Sequence, residues 1–332
     1  METWQIILFV LIGIVFVLGC IVAVLFYVVV PKKLIIKIRG NPQDDDNITF
    51  PANYNEYENK VSVTKNHPYS STYHNNKYDI YKPKNILNKC PIVIWVHGGF
   101  YFAGRKEGVR NLATFLAAHG VAVIAIDYAL APENKYPTAI YQLNEFTEYI
   151  LQNQDPDLDF NKIYYAGDSA GGQIAAQYVA IVNNPQLSNV MAIKPAITSP
   201  KIKGGIFVCA PLDLGMLRKK SKKMAILLKM FARQYFGKQA RKKDKIYEEV
   251  KVSNHINANY PPTFLTDGNH YSFEDHCKSF GQELRSQGVM VEELYFDSQQ
   301  KKVNHEYIFQ LADEEALQGA NAILKFIEKT KE

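Results

Sequence analysis

Ile163-Tyr164-Tyr165-Ala166-Gly167-Asp168-Ser169-Ala170-Gly171-Gly172-Gln173 is the stretch on which the reading of this chain turns. Its first four residues are a short apolar run, as expected for a strand buried on both faces. From Gln173 to Val182 the spacing is helical. Between them lies a G-x-S-x-G pattern, which at a strand-to-helix turn makes a nucleophile elbow. Gly167 and Gly171 lack Cβ atoms, so the chain can turn tightly and neighbouring backbone can approach. The turn pushes the Ser169 hydroxyl into a cleft, and the helix N-terminus behind it favours negative charge there.

Working outward, the same rhythm repeats. Strands are expected at Ile92–Val96, Val121–Ile126, Gly205–Cys209, Thr263–Thr266 and Val291–Phe296, with edge strands at Lys60–Thr64 and Lys77–Tyr81. Helical spacing appears at Asn111–His119, Tyr141–Leu151 and about Glu314–Glu328. Strands alternating with helices of this length imply an α/β fold, a mostly parallel sheet with helices on both faces. The rhythm breaks between Leu217 and Lys251. Residues 218–245 hold a dense run of Lys and Arg against the lone acid Asp244, with Met224, Leu227, Leu228, Met230, Phe231 and Phe236 interleaved. This reads as an inserted helical cap, about residues 214–252. Its apolar face is expected over the active site, and its basic face is a candidate for anionic lipid headgroups.

A second motif, His97-Gly98-Gly99-Phe100, follows the strand Ile92–Val96. Acyl transfer builds an oxyanion and needs preorganised N–H donors. Gly98 and Gly99 let backbone supply them, and the N–H of Ala170 completes the expected oxyanion hole. His97 is expected to order this loop through its ring.

Together with Asp127-Tyr128-Ala129-Leu130-Ala131-Pro132-Glu133 and Tyr136-Pro137-Thr138-Ala139, these motifs resemble the hormone-sensitive-lipase-like branch of the α/β-hydrolase fold, over roughly residues 60–330. The resemblance implies a serine esterase acting on carboxylic esters without cofactor or metal. The motifs themselves give serine-dependent acyl transfer. Chain order in this fold is Ser, acid, His, and His305 in Val303-Asn304-His305-Glu306-Tyr307 is the expected base. The acid departs from the family pattern. Where relatives carry an aspartate shortly after a glycine, this chain has Gly268-Asn269-His270-Tyr271-Ser272-Phe273-Glu274-Asp275. Glu274 is the expected acid, about one helical turn beyond the usual position, with Asp275 and Asp267 as alternatives.

The N-terminus carries a different signal. Ile6–Val30 has no charged residue and is closed by Pro31-Lys32-Lys33. At about 1.5 Å per residue it exceeds the ~30 Å hydrocarbon core, and it is longer than a signal-peptide apolar region. The expected organisation is a transmembrane helix (5–30), a juxtamembrane linker (31–59) and a hydrolase domain (60–330). Lys32, Lys33, Lys37 and Arg39 follow the span and no Lys or Arg precedes it, which predicts a single-pass cell-membrane protein with a cytoplasmic catalytic domain.

The 332 residues are 47% hydrophobic, which excludes a disordered chain. A net charge of +5 is too mild for a nucleic-acid binder. Cys20, Cys90, Cys209 and Cys277 form no CxxC pair, which argues against a disulfide scaffold or cysteine zinc site. The expected activity is a membrane-anchored serine carboxylesterase with a small-molecule ester substrate. An amidase or peptidase on the same scaffold, and a silent hydrolase-fold binding module, are the alternatives.

Overall fold

In the computed structural model the described residues are 3–25, 29–40, 48–217, 231–241 and 243–332. Eight strands form one sheet in the order β1-β2-β4-β3-β5-β6-β7-β8. They are β1 Val61–Pro68, β2 Lys77–Pro83, β3 Cys90–Val96, β4 Ala122–Ile126, β5 Leu158–Asp168, β6 Ile202–Val208, β7 Thr263–Thr266 and β8 Val291–Leu294. From β4 to β8 all neighbours pair parallel, while β2 pairs antiparallel with both β1 and β4. Alternation along the central strands builds two cores. Ile92, Ile94, Val96, Ile163 and Tyr165 face one side, and Val93, Trp95, Tyr164 and Ala166 face the other. Both sides of these strands are dry, which is why they read as unbroken apolar runs.

The first core is closed by α5 (Thr138–Gln152) and α6 (Ser169–Asn183), the second by α4 (Arg110–Ala118) and the C-terminal helix Glu314–Thr330. β5 begins five residues before the expected Ile163. Its first half alternates buried Leu158 and Phe160 with the more exposed Asp159 and Asn161, so it lacks an apolar run.

The described part of the stretch expected to be a linker is more ordered than its composition indicates. After α1 (Thr3–Val24) come α2 (Val30–Arg39) and α3 (Tyr54–Lys60). Pro31 sits in the first turn of α2, where its missing N–H costs nothing. Ile35 is buried in the first core and Leu34 packs against it. The lysines of α2 disguise this apolar face in the sequence. Within α1, Thr3–Val22 has a mean hydropathy of 3.0 and none of it is buried against protein.

Of the expected cap, residues 218–230 and 242 lie outside the described residues, and with them Met224, Leu227, Leu228, Met230 and most of the basic run. The described remainder includes the helix Lys243–Val250 and buries Phe231, Tyr235, Phe236, Ile246 and Val250 in the first core.

Candidate active site

β5 ends in Asp168, and α6 starts at Ser169 with no residue between them. The turn is so abrupt that Ser169 takes φ +47°, a conformation that strains an L-residue. β3 passes close behind the turn. A Cβ on Gly171 would lie 2.0 Å from the Val96 carbonyl oxygen, and one on Gly167 would lie 2.6 Å from it. Both positions need glycine.

The Ser169 Oγ lies 3.1 Å from Nε2 of His305. His305 belongs to the loop after β8, which is fastened to the loop after β7. Asn269 Nδ2 donates to the carbonyls of Phe296 (3.1 Å) and Lys301 (3.0 Å), its Oδ1 accepts from Val303 N–H (3.0 Å), and His270 N–H donates to the Val303 carbonyl (2.9 Å). Asn269 is thus a positioning residue that sequence reading missed, since a turn asparagine carries no distinguishing pattern.

On the far side of the ring, His305 Nδ1 is 2.7 Å from Ser272 Oγ, and the Ser272 hydroxyl donates to Asp267 Oδ1. The Asp267 carboxylate also accepts from Phe273 N–H at 3.0 Å. Asp267 is fully buried, and burial pushes its carboxyl up to about 6. Burial also lowers the His305 imidazole to about 4. Both shifts have one cause, the cost of charge in a dry site. Phe273 meets the His305 ring edge-on, with centroids 5.1 Å apart.

The expected acid is elsewhere. Glu274 opens the helix Glu274–Ser286, and its carboxylate pairs with Lys278 Nζ at 2.6 Å, one turn along. Asp275 is exposed on the same turn. Tyr271, which with His270 stands where the resemblance would put an aspartate, is 89% exposed with φ +52°. The expectation for Glu274 is therefore corrected by the geometry. The chain leaves β7 with Asp267 turned inward, then folds back so that Ser272 and Phe273 meet it. The acidic first turn of the next helix stays outside.

The glycine motif also departs from expectation. Gly98 N–H donates to Asp168 Oδ2 at 2.8 Å, and Trp95 Nε1 donates to Oδ1 at 2.7 Å. Gly98 is thus tied to the residue before the nucleophile, and its N–H is not free for an oxyanion. Gly99 has φ +110°, and a Cβ there would lie 2.1 Å from the Ala103 carbonyl oxygen. Ala170 is buried in the first turn of α6. His97 serves the loop, with Nδ1 2.6 Å from the Gly98 carbonyl oxygen and its ring stacked on Tyr128 at 4.4 Å.

Glu306, next to His305, lies with Oε1 3.8 Å from His305 Nε2. Burial and the neighbouring Asp168 carboxylate, to which it is hydrogen-bonded, push its carboxyl up to about 8. Cys209, Asp267 and His305 bring a sulfur, a carboxylate oxygen and a ring nitrogen within 4.8 Å of one another. Cys209 Sγ accepts from Glu306 N–H at 3.2 Å, so this cluster reads as part of the hydrogen-bonded network. Above Ser169 and Ala170 opens a partly enclosed cavity. Phe100, Tyr101, Phe102, Phe231, Tyr235, Phe236, Tyr247 and Phe273 give it an aromatic wall.

The chain is similar to known proteins over part of its length. A Salmonella schwarzengrund protein named acetyl esterase is 34% identical over 106 residues, 31% of this chain and 33% of that protein. A Danio rerio kynurenine formamidase is 28% identical over 138 residues, 42% of this chain and 43% of its own. The chain thus matches less than half the length of these curated relatives. Among solved structures, esterase B from Lactobacillus rhamnosis superposes with a TM-score of 0.75 at 18% identity, covering 91% of this chain and 96% of that one. That likeness carries the fold. The BD-FAE family model matches residues 78–284, from β2 into the helix after β7. That is well over half of the sequence, and the chain belongs to the BD-FAE family of α/β hydrolases.

Proposed function

We propose that this chain is a membrane-anchored serine carboxylesterase, with Ser169 as nucleophile, His305 as base and Asp267 as the acid, acting through Ser272. The observation that carries the reading is the unbroken hydrogen-bonded line from Ser169 Oγ through both ring nitrogens of His305 and the Ser272 hydroxyl to Asp267. Its donor order is self-consistent. Ser272 spends its one proton on Asp267, so it accepts from His305 Nδ1–H. That tautomer leaves the Nε2 lone pair facing Ser169.

As the Ser169 oxygen bonds to the acyl carbon, its proton passes to Nε2. The carbonyl π pair moves onto oxygen, where the N–H groups of Gly99 and Ala170 receive it; Gly98 holds the loop through Asp168. Collapse breaks the ester C–O bond, and the alcohol leaves with the proton from Nε2. Water, deprotonated by the same nitrogen, then releases the acid and restores Ser169. The aromatic cavity suits the acyl group, and names of relatives that include acetyl esterase support an ester substrate.

The decisive experiment is labelling by a fluorophosphonate probe. Wild type labels and Ser169→Ala does not. A folded wild type that stays unlabelled overturns the reading. The similarity to a kynurenine formamidase favours one second reading, an amide substrate at the same serine. Matched p-nitrophenyl esters and anilides separate the two by kcat/KM. We also read α1 as a membrane span, on its length, hydropathy and exposed surface.

A further inference from the structure

α2 does more than a tether requires. Pro31, Ile35 and Arg39, spaced i, i+4, i+8, turn one face inward, with Pro31 and Ile35 buried and Arg39 half-buried. The Arg39 guanidinium donates to the carbonyls of Phe102 (2.8 Å) and Ala131 (2.7 Å), and to both carboxylate oxygens of Glu133 (3.2 and 2.5 Å). Ala131 N–H in turn donates to the Tyr101 carbonyl at 3.0 Å. Tyr101 and Phe102 line the cavity, and Phe102 and Ala103 N–H close onto the Gly99 carbonyl at 3.1 and 2.9 Å. Arg39 therefore grips the loop that carries Gly99 and part of the cavity wall.

The other face of α2 presents Lys33, Ile36 and Lys37 to solvent, with Ile36 68% exposed. Its sequence, VPKKLIIKIR, contains no acid. A branched apolar side chain between two lysines suits an anionic lipid surface, the apolar group entering and the ammonium groups meeting headgroups. Position selects this occupant over a protein partner. Five residues separate α1 from α2, and fully extended they reach about 17 Å. The outer face cannot lie far from where the span leaves the bilayer.

We infer that the Lys33–Ile36–Lys37 face of α2 binds the anionic headgroup surface of the membrane that α1 enters. Arg39 links that contact to the Gly99–Ala103 loop, so the aromatic cavity is held at the bilayer and is supplied with esters dissolved in it. This rests on α1 spanning the membrane and on Ser169 being the nucleophile.

The test uses the full chain reconstituted in phosphatidylcholine vesicles with or without phosphatidylserine. An environment-sensitive dye on Ile36→Cys, in a Cys20→Ser background, should shift to the blue in the anionic vesicles and less so as salt rises. Emission that is the same in both vesicle types overturns the surface assignment. The triple variant Lys33→Glu, Ile36→Ser, Lys37→Glu should lose five-fold or more of kcat/KM on a long-chain ester dispersed in the anionic bilayer. It should keep wild-type kinetics on aqueous p-nitrophenyl acetate and full fluorophosphonate labelling. Equal losses on both esters, or none on either, sink the substrate-supply inference. Arg39→Gln should lower kcat on both esters without altering the dye shift; an unchanged kcat removes the link to the loop. Failure of wild type to label with fluorophosphonate condemns the nucleophile and leaves the dye result standing.

Discussion

At the scale of single residues, the candidate site turns on which carboxylate serves His305. Ser169 and His305 were legible in the sequence because each sits in a short motif at a fixed point of the chain order. Asp267 stood only as an alternative to Glu274, because the role proposed for it depends on a backbone reversal that lets Ser272 reach it, and a reversal leaves no side-chain pattern. If the Ser272 bridge sets the tautomer, Ser272→Ala and Asp267→Asn should each lower kcat for an ester by at least ten-fold, while Glu274→Gln leaves it near wild type. A crippled Glu274→Gln beside an active Asp267→Asn would return the acid to the helix. Glu306 gives a second prediction. Burial, and then the neighbouring Asp168 carboxylate, push its carboxyl up to about 8, well above the ordinary glutamate value. The native state therefore holds more protons than the unfolded chain between the two values, and stability falls as pH rises through that window. The other titratable groups close by are Asp168, Asp267, His305 and Cys209. Glu306→Gln removes the term, so denaturation midpoints should favour the variant more at pH 9 than at pH 5. A difference that does not change with pH contradicts the assignment.

Among the elements, the central strands announced themselves because they are dry on both faces, and the edge strands did so only through alternation. The amphipathic α2 and the first half of β5 stayed hidden, since charged residues interrupt their apolar positions. One buried charge cluster joins elements that the sequence leaves unconnected. Lys106 opens the short 3-10 helix before α4 and is 2% exposed. Its ammonium lies 3.4 Å from Asp79 on β2 and 3.7 Å from Asp127 after β4, and it pairs with Glu107. Asp127 also accepts from Lys106 N–H at 2.8 Å and is the first residue of the segment that ends in Glu133. The cluster therefore braces the segment on which Arg39 also bears. Lys106→Met keeps the bulk but leaves fully buried Asp79 without its cation. Removing one partner of a buried pair costs roughly 3–5 kcal/mol, so the urea midpoint should fall accordingly. A loss below about 1 kcal/mol, the value of an exposed pair, would mean that water reaches the cluster.

Across the whole molecule, the candidate chemistry collects at one edge of the sheet. Gly99 follows β3, Ser169 follows β5, Asp267 follows β7 and His305 follows β8, so each lies beyond the carboxyl end of a strand, where open α/β sheets bind ligands. The described part of the cap lines the cavity beside them, and α2 braces its wall. On the proposed reading of α1 as a membrane span, the charge asymmetry around it predicts the compartment. Four basic residues, Lys32, Lys33, Lys37 and Arg39, follow α1, and Glu2 is the charged residue before it. The cytoplasmic leaflet carries anionic lipid, which favours both retention of the basic flank and binding of the outer face of α2 on that side. The catalytic domain should therefore be cytoplasmic. Protease added to sealed, right-side-out vesicles should leave a fragment retaining the domain and its fluorophosphonate label, and permeabilisation should expose it. Moving the charge should move the domain. Glu2→Lys with Thr3→Lys, combined with Lys32→Gln and Lys33→Gln, should make a measurable fraction protease-sensitive in sealed vesicles. Complete degradation of wild type before permeabilisation would put the active site on the outer face and assign orientation to something other than these flanks.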